Sequence, residues 1–579
     1  MSRRSIIVLK FGGSVLTDGE TVERAVHEVH AFRRAGYRVV AVVSALAGRT
    51  DQLLAACARD GITQPSLIAA RLAVGEAESA ECLAARLERA GVHARVLTPR
   101  ELRLHACGDP LDAEPLGVDV APIHRAFETD ETVVVPGFVA CGADGATVTL
   151  GRGGSDLSAL VLAEALHSRC RLVKDVDGLY EWDPARPGHG RPRRFARATW
   201  DVALQTDGGI VQHKATRFAR DREIEFELGG LCSHDPTVIG AGTSRFAPAQ
   251  HEDRPASVAI LGVGTVGSAV LECLRRLPER FRIVALGVRA DHWVHRDLRL
   301  SPIAGSVSQA ASCGADLIVE ALGGVIDAAR AIELALNSGS HVVTANKEVI
   351  ARHGRELEGL AQRRGRQLLF SAAVGGCAPV IEVIRSLGAG AVRRIRGVLN
   401  ATANVVLDRC ASGADLGSGV EEARKRGLAE RDVSSDLDGR DAANKLAVLA
   451  GVLGQPLRDD QTIHRRSIAS VLDRLAGPAA PRFRQVARLE RQEGGIVGEV
   501  LTTGVAESDP LFAVGDDGNA ADIEWDDGSS DLIRGRGAGG RPTAESILGD
   551  LLELRRHDIA RESVGVHSSR QNPAHVTAT

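Results

Sequence analysis

Apolar and polar positions along the chain fall into two successive series of strand and helix periods. Residues 5–11 and 38–44 are short apolar runs of strand character, and residues 22–35 between them carry an amphipathic helical period. Further on, residues 156–165 read as a helix opening behind a Gly-rich turn, with a strand at 171–175 after it. This alternation predicts an α/β domain with a largely parallel sheet. Residues 244–257 hold two prolines, a histidine and mixed charges, break the pattern, and read as a linker. A fresh buried strand is predicted at 257–261, and a second βαβ series runs from it to residue 369. A strand at 392–398 then leads into helices at 401–409, 420–426 and 441–453. Residues 559–579 lack apolar periodicity and are expected to be disordered.

Composition narrows the class. A chain of 579 residues exceeds one ordinary core, and 44% apolar with 25% charged residues is a globular balance. A net charge of -4 gives no reason to expect nucleic acid or an anionic membrane as partner. No apolar run approaches the roughly 20 residues of a membrane span. Lys10, Gly12 and Gly13 interrupt the N-terminal apolar run at once, so no signal peptide is expected and the location is expected to be cytoplasmic. The ten cysteines are scattered without zinc-type spacing, so free thiols and no metal site are expected. Only six of the 71 basic side chains are lysine, at Lys10, Lys174, Lys214, Lys347, Lys425 and Lys445. Lysine exchanges a proton where arginine stays charged, which singles these six out.

The second series opens with G-x-G-x-x-G, whose glycines are Gly262, Gly264 and Gly267, after a predicted strand and before a predicted helix at 268–277. In that setting the backbone can approach a pyrophosphate at a helix N-terminus, so these glycines with Thr265 and Val266 are candidate dinucleotide-binding residues. The strand predicted at 282–288 ends at Arg289, where an acidic residue would favour a free ribose hydroxyl. Arginine suits a 2′-phosphate, which favours NADP over NAD unless Arg289 is only a solvated loop residue.

Further motifs follow in order: T-A-N-K at 344–347, A-V-G-G-C-A-P at 373–379, G-V-L-N-A-T-A-N at 397–404, G-L-A-E-R-D at 427–432, D-L-D-G-R-D-A-A-N-K at 436–445, and a Gly-rich segment at 535–543. Over residues 257–554 the chain resembles the homoserine dehydrogenases. The resemblance implies reduction of aspartate semialdehyde to homoserine, in which the aldehyde carbon gains a hydride and its oxygen a proton. It implies Lys347 and Lys445 as the lysines at that oxygen, with Asp441 holding Lys445 at i, i+4. Glu430 and Asp436 would bind the substrate ammonium and Asn400 the substrate, while Thr344 and Gly537 would line the cofactor. In isolation Asp441 and Lys445 would read as an ordinary surface ion pair. Leu428 stands where a tyrosine is usual, Val433 where proline is, and Ala401 where glycine is. Ser371 and Cys377 replace the usual Glu and Gly around a monovalent-cation site, which puts that cation and the finer substrate fit in question.

The first series carries K-F-G-G-S at 10–14, L-G-R-G-G-S-D at 150–156 and D-V-D-G at 175–178. Backbone N–H groups of the first turn, at Gly12, Gly13 and Ser14, can cradle phosphate oxygens whose charge Lys10 offsets. With V-S-A-L-A-G-R-T-D at 43–51 and V-G-E-A-E-S at 74–79, residues 6–243 resemble an aspartokinase of the amino-acid-kinase family. The resemblance implies that Lys10 stabilises the transferring phosphoryl group of Mg-ATP and Asp156 orients Lys10. Arg152, Ser44, Thr50 and Glu76 would grip aspartate, and Asp175 and Tyr180 would line the nucleotide pocket. Departures gather late: Lys174 replaces a threonine, Ile210 a nucleotide-side lysine, and Trp200 and Ala203 two glutamates. Lys174 and Lys214 are candidates to compensate.

The expected organisation is an α/β sandwich of the amino-acid-kinase type (1–245), a linker (246–256), a Rossmann dinucleotide-binding domain (257–385), an α+β catalytic and dimerisation domain returning to the Rossmann unit (386–556), and a tail (557–579). No stretch remains between the first and second units for the paired ACT regulatory domains usual in aspartokinases. Two readings stay open: a bifunctional kinase and dehydrogenase, or a dehydrogenase carrying a silent kinase-like binding or assembly domain. A dehydrogenase for a related amino-aldehyde is the third. Small-molecule substrates and a homodimer or higher homo-oligomer are expected.

Overall fold

The computed structural model describes residues 2–184, 192–206, 210–233, 235–248, 254–288, 304–429, 432–455, 457, 463–475, 481–537 and 539–569. In the first unit a nine-stranded sheet runs in the order Arg245–Phe246, Phe195–Ala198, Thr237–Ile239, Phe226–Gly230, Arg169–Lys174, Ile6–Phe11, Arg38–Val43, Thr132–Pro136 and Ala94–Val96. Its central strands are apolar on both sides, as a covered parallel sheet requires. Ile7, Leu9 and Phe11 pack under the helices Gly19–Arg34 and Pro65–Ala90. Val8 and Leu172 pack under Gly154–Ala165 and His213–Asp221 on the other face. The result is a three-layer sandwich, flanked by a four-stranded sheet that includes Asp112–Gly117 and Thr147–Thr149.

The second unit opens with a six-stranded parallel sheet in the order Ala304–Gly305, Phe281–Gly287, Ala256–Leu261, Leu317–Glu320, His341–Thr344 and Leu368–Leu369. Chain order reverses beside Ala256–Leu261, and that reversal leaves a crevice at the carboxyl ends of the strands. A mostly antiparallel sheet follows, in the order His464–Arg465, Gly495–Val505, Arg482–Gln492, Val392–Val398, Gly518–Trp525 and Ser530–Arg536.

Two expectations change. Arg245–Phe246, inside the predicted linker, adds a short strand to the first sheet, and Phe246 stacks on Phe195 at 4.5 Å between ring centroids. The predicted disordered tail is helical for part of its length, because the helix Gly540–Ser569 continues well past residue 559. Ala560, Arg561 and Glu562 there are sound helix formers and no proline interrupts the stretch. The early part of this helix packs Ile547, Leu548 and Leu551 onto Val270 and Leu274 of the Rossmann unit. Among the described residues no helix is long and apolar enough to cross a membrane.

The two halves meet along Gly19–Arg34. Arg34, buried, pairs with Asp550 at 2.5 Å, with Glu553 at 3.1 Å, and with Glu382. His27 Nδ1 lies 2.6 Å from Glu545, and Arg541 reaches back to Glu23 at 2.6 Å. Arg33 holds Asp130 at 2.7 Å and donates to the Arg534 carbonyl at 3.0 Å.

Candidate active sites

Lys445, Asp441, Lys347, Asn400 and Asp436 converge between the Rossmann unit and the antiparallel sheet. The helix Arg440–Val452 starts at Gly439, whose φ of 82° suits glycine, and where a Cβ would sit 3.0 Å from Val500. Its first turns carry Asp441 and Lys445 inward, and Lys445 Nζ donates to Asp441 Oδ2 at 2.7 Å and to the Leu399 carbonyl at 2.5 Å. Lys347 opens the helix Lys347–Arg363, capped by Asn346, and its Nζ lies 3.2 Å from Asp441 Oδ1. Asn400 caps Ala401–Ala411 by accepting from the Ala403 N–H at 2.8 Å. That cap fixes its amide, whose Nδ2 donates to Asp436 at 2.7 Å and to Asp441 at 2.8 Å.

Charge follows the geometry. Burial works against the Asp441 carboxylate, but Lys445 and Lys347 overcome it and hold its pKa far below the usual range. Asp441 in turn is the main cause that raises Lys347. Burial, then repulsion from Asp441, raises Asp436. The cluster is a pair of lysines on one carboxylate, with Lys347 held charged by it and partly open to solvent. Such a pair can polarise a carbonyl oxygen and supply its proton. Glu430 lies outside the described residues.

The nucleotide turn lies at the mouth of the Rossmann crevice. A Cβ at Gly262 would meet the Ala321 carbonyl oxygen at 2.5 Å, and one at Gly267 the Gly262 carbonyl oxygen at 1.9 Å. At Gly264, the N-cap of Thr265–Arg275, it would meet nothing within 4 Å. Two glycines are therefore required by the turn, and the middle one opens onto space beside a helix N-terminus with Thr265 and Val266. Gly540 approaches the Thr265 carbonyl, so the segment after Gly537 returns to this turn. Thr344 is fully buried with its hydroxyl donating to Glu320, which places it behind the crevice as a support. Burial pushes Glu320 up to about 7. Arg289 lies outside the described residues. The turn fits a dinucleotide pyrophosphate. A monovalent cation does not fit at Ser371, since the Ser371 hydroxyl donates to Asp550 at 2.6 Å and Arg34 already neutralises that carboxylate.

In the first unit Lys10 Nζ pairs with Asp156 Oδ1 at 2.7 Å, both buried. Gly12 lies over that ammonium, since a Cβ there would come within 3.0 Å of it. Gly13 runs against the Ala45 carbonyl beside Ser44, and Ser14 is exposed. Glu76 is buried, is pushed up to about 8 by burial despite the Ala45 N–H and Lys10, and has one oxygen without a hydrogen-bond partner. Thr50 is half-buried on the neighbouring helix Arg49–Arg59, while Arg152 and Asp175 are exposed on their turns and Tyr180 bridges to Arg194. Trp200, Ala203 and Ile210 pack on the apolar core, with the Trp200 Nε1 donating to the Ile224 carbonyl at 3.0 Å. The Leu399 carbonyl and Glu320 carry no local sequence signal for their roles, whereas Lys174, one of the two lysines offered as compensating, is the one that reaches Asp156.

Comparison with known proteins places both halves. Residues 5–226 match the amino acid kinase family. Residues 262–371 match the homoserine dehydrogenase NAD binding domain, and residues 379–552 match homoserine dehydrogenase. A homoserine dehydrogenase of Synechocystis is 34% identical over 339 residues, covering 55% of this chain and 75% of that protein. The chain belongs to the homoserine dehydrogenase family. A homoserine dehydrogenase of Pseudomonas aeruginosa is likewise 34% identical, over 52% of this chain and 73% of its own length. The solved homoserine dehydrogenase of Thiobacillus denitrificans is 31% identical, covers 53% of this chain and 74% of its own, and superposes with a TM-score of 0.49. This dehydrogenase therefore carries an amino acid kinase domain in front of its NAD-binding and catalytic domains.

Proposed function

We propose that the second unit reduces aspartate semialdehyde to homoserine at the Lys445–Asp441–Lys347 cluster, and that the first transfers the γ-phosphoryl group of Mg-ATP to the side-chain carboxylate of aspartate. The observation that carries the first half is that Asp441 bonds both lysines and Asn400 at once. A nicotinamide dinucleotide, NADP by the Arg289 argument, supplies the hydride when bound at the Gly262–Gly264–Gly267 turn. The chain's own residues do the rest. Lys347 and Lys445 donate to the aldehyde oxygen and one releases its proton there; Asp441 keeps Lys347 charged and aims both until then. Asp436 and Glu430 receive the substrate ammonium, with Asn400 locking Asp436 in place.

In the first unit the bond from the γ-phosphorus to the β-bridging oxygen breaks as the bond to the aspartate carboxylate forms, and ADP leaves. No proton needs to move, so the residues required are those that offset charge, Lys10 with Asp156 behind it, and those that position aspartate. The test is two assays on the full chain, NADPH oxidation with aspartate semialdehyde and aspartate-dependent ADP formation with Mg-ATP, each repeated with Lys445→Ala and Lys10→Ala. Each substitution is expected to abolish only its own reaction. An active dehydrogenase beside a first unit that forms no ADP would favour the binding-domain reading, for which the core-packed Ile210 speaks. Loss of both points to an analogue aldehyde.

A further inference from the structure

We infer that Lys174 is the second phosphoryl-binding cation of the kinase site, standing beside Lys10 on the shared carboxylate of Asp156. This rests on the kinase reading above and deepens it. Lys10 and Lys174 come from the carboxyl ends of adjacent parallel strands, Ile6–Phe11 and Arg169–Lys174. Lys10 is in register with Leu172, so Lys174, two residues on, lies on the same face of the sheet. The helix Gly154–Ala165 covers that face and presents Asp156 from its first turn. Lys174 Nζ donates to Asp156 Oδ2 at 2.8 Å, while Lys10 holds Oδ1 at 2.7 Å. The three side chains are 11%, 6% and 3% exposed.

Two lysines share one carboxylate in a buried site, where burial and Lys10 lower the Lys174 pKa while Asp156, and less strongly the exposed Asp175, hold its charge. Glu76, also near Lys10, is mostly protonated at neutral pH. The cluster is left with an unmatched positive charge next to the Gly12 turn and the helix N-terminus of Gly154–Ala165. Burying such a charge is costly unless an anion arrives. The anion the surroundings suit is a phosphoryl group bridging the two ammonium ions. Lys214 is not the compensating cation. Its Nζ is already surrounded by Asp112 at 2.7 Å, Glu114 at 3.1 Å, and the Ala113 and Leu150 carbonyls at 3.1 Å. Ile210 contributes only to the core. Lys174 and Lys10 thus place two cations at the strand ends, where the departures at Ile210 and residue 174 each looked like a loss when taken separately.

The experiment compares wild type with Lys174→Met and Lys174→Arg in the full chain. It measures kcat and KM for aspartate-dependent ADP formation, and calorimetric binding of the Mg complex of a non-hydrolysable ATP analogue. Aldehyde reduction by the second unit and the melting transition serve as folding controls. Lys174→Met should lower kcat on the order of 100-fold, with the aspartate KM changing far less, and Lys174→Arg should recover part of that loss. If wild type binds the analogue without forming ADP, the kinase reading fails, and a tenfold weaker binding by Lys174→Met still supports the site. Lys174 is a structural ion pair, and the inference is wrong, if Lys174→Met leaves both kcat and analogue binding within twofold, or if wild type does not bind the analogue.

Discussion

Replacing Asp441 with Asn keeps the shape of the side chain but removes the one negative charge between Lys445 and Lys347. The structure bounds the consequence. At 2.7 and 3.2 Å each ion pair is worth roughly 5 kcal/mol by Coulomb's law at an effective dielectric near 20, but much of that only offsets desolvation. Removing one partner of a buried pair costs about 3–5 kcal/mol. The Lys347 contact is discounted because that side chain is 37% exposed. We therefore expect about 3 kcal/mol, a fall of roughly 6–12 °C in the melting temperature of this unit. The catalytic effect has a separate signature. Asp441 is the leading cause that raises Lys347, so without it the ammonium loses its proton at lower pH. Reduction needs a protonated donor, so its rate falls as pH rises through the lysine pKa. The alkaline limb of kcat for NADPH oxidation should move to lower pH in Asp441→Asn, and kcat at neutral pH should fall by on the order of 100-fold or more. A variant with wild-type kcat and an unmoved alkaline limb would refute the proton-donor assignment, whatever its melting temperature.

Other perturbations test the remaining parts. Gly264→Ala should fold normally and raise the KM for the nicotinamide nucleotide, while Gly267→Ala, whose Cβ would collide with the Gly262 carbonyl, should lower the melting temperature as well. Aspartate binding to the first unit should release close to one proton at pH 7, because Glu76 is protonated below about 8 and must ionise to meet an ammonium. Calorimetry in buffers of different ionisation enthalpy reads that release, and Glu76→Gln should remove it. Arg34→Met should leave Asp550, Glu382 and Glu553 facing one another and cost about 3–5 kcal/mol at pH 8. Burial already raises the Asp550 carboxyl to about 6, and without the opposing guanidinium it rises further, so the variant's stability should be lost as pH rises and regained toward pH 5. Melting curves at the two pH values check the sign.

What the sequence made legible was local. Buried parallel strands announce themselves as apolar runs, and the ends predicted at 5–11, 38–44 and 392–398 lie within a residue of Ile6–Phe11, Arg38–Val43 and Val392–Val398. Motifs whose members are close in the chain, such as Asp441 with Lys445, also survive in space. Contacts made across the fold left no local pattern. Nothing near Leu399 marks its carbonyl as the second acceptor of Lys445, because a backbone oxygen has no side-chain signature. The role of Arg245–Phe246 depends on a partner strand roughly 50 residues earlier, so a stretch with two prolines read as linker. Lys174 replaced a threonine and stood beside Lys214 as a candidate to compensate, and choosing between the two depends on Asp156 and Lys10 reaching the same point as Lys174.

The same reasoning accounts for two departures in the second unit. Ser371 and Cys377 replace residues that the resemblance associates with a cation site, and both lie where the first unit docks. The Ser371 hydroxyl donates to Asp550, which Arg34 of the first unit also holds. Cys377 packs against the first unit, its Sγ 3.5 Å from His30 Nε2 and its Cβ 3.0 Å from where a Cβ on Gly91 would stand. Desolvation drives the His30 imidazole down to about 3, so it stays neutral there and adds no charge to a junction already balanced by Arg34. A free cation beside Ser371 would compete with a guanidinium fixed by three carboxylates, and the guanidinium, tethered in the same chain, has the advantage. The helix that supplies Arg34 follows the Gly12–Gly13 turn of one site, and the helix that supplies Asp550 starts beside the Thr265 turn of the other. The residues that left the dehydrogenase pattern thus became the joint between the two nucleotide sites, and Arg34→Met, by loosening it, should perturb both.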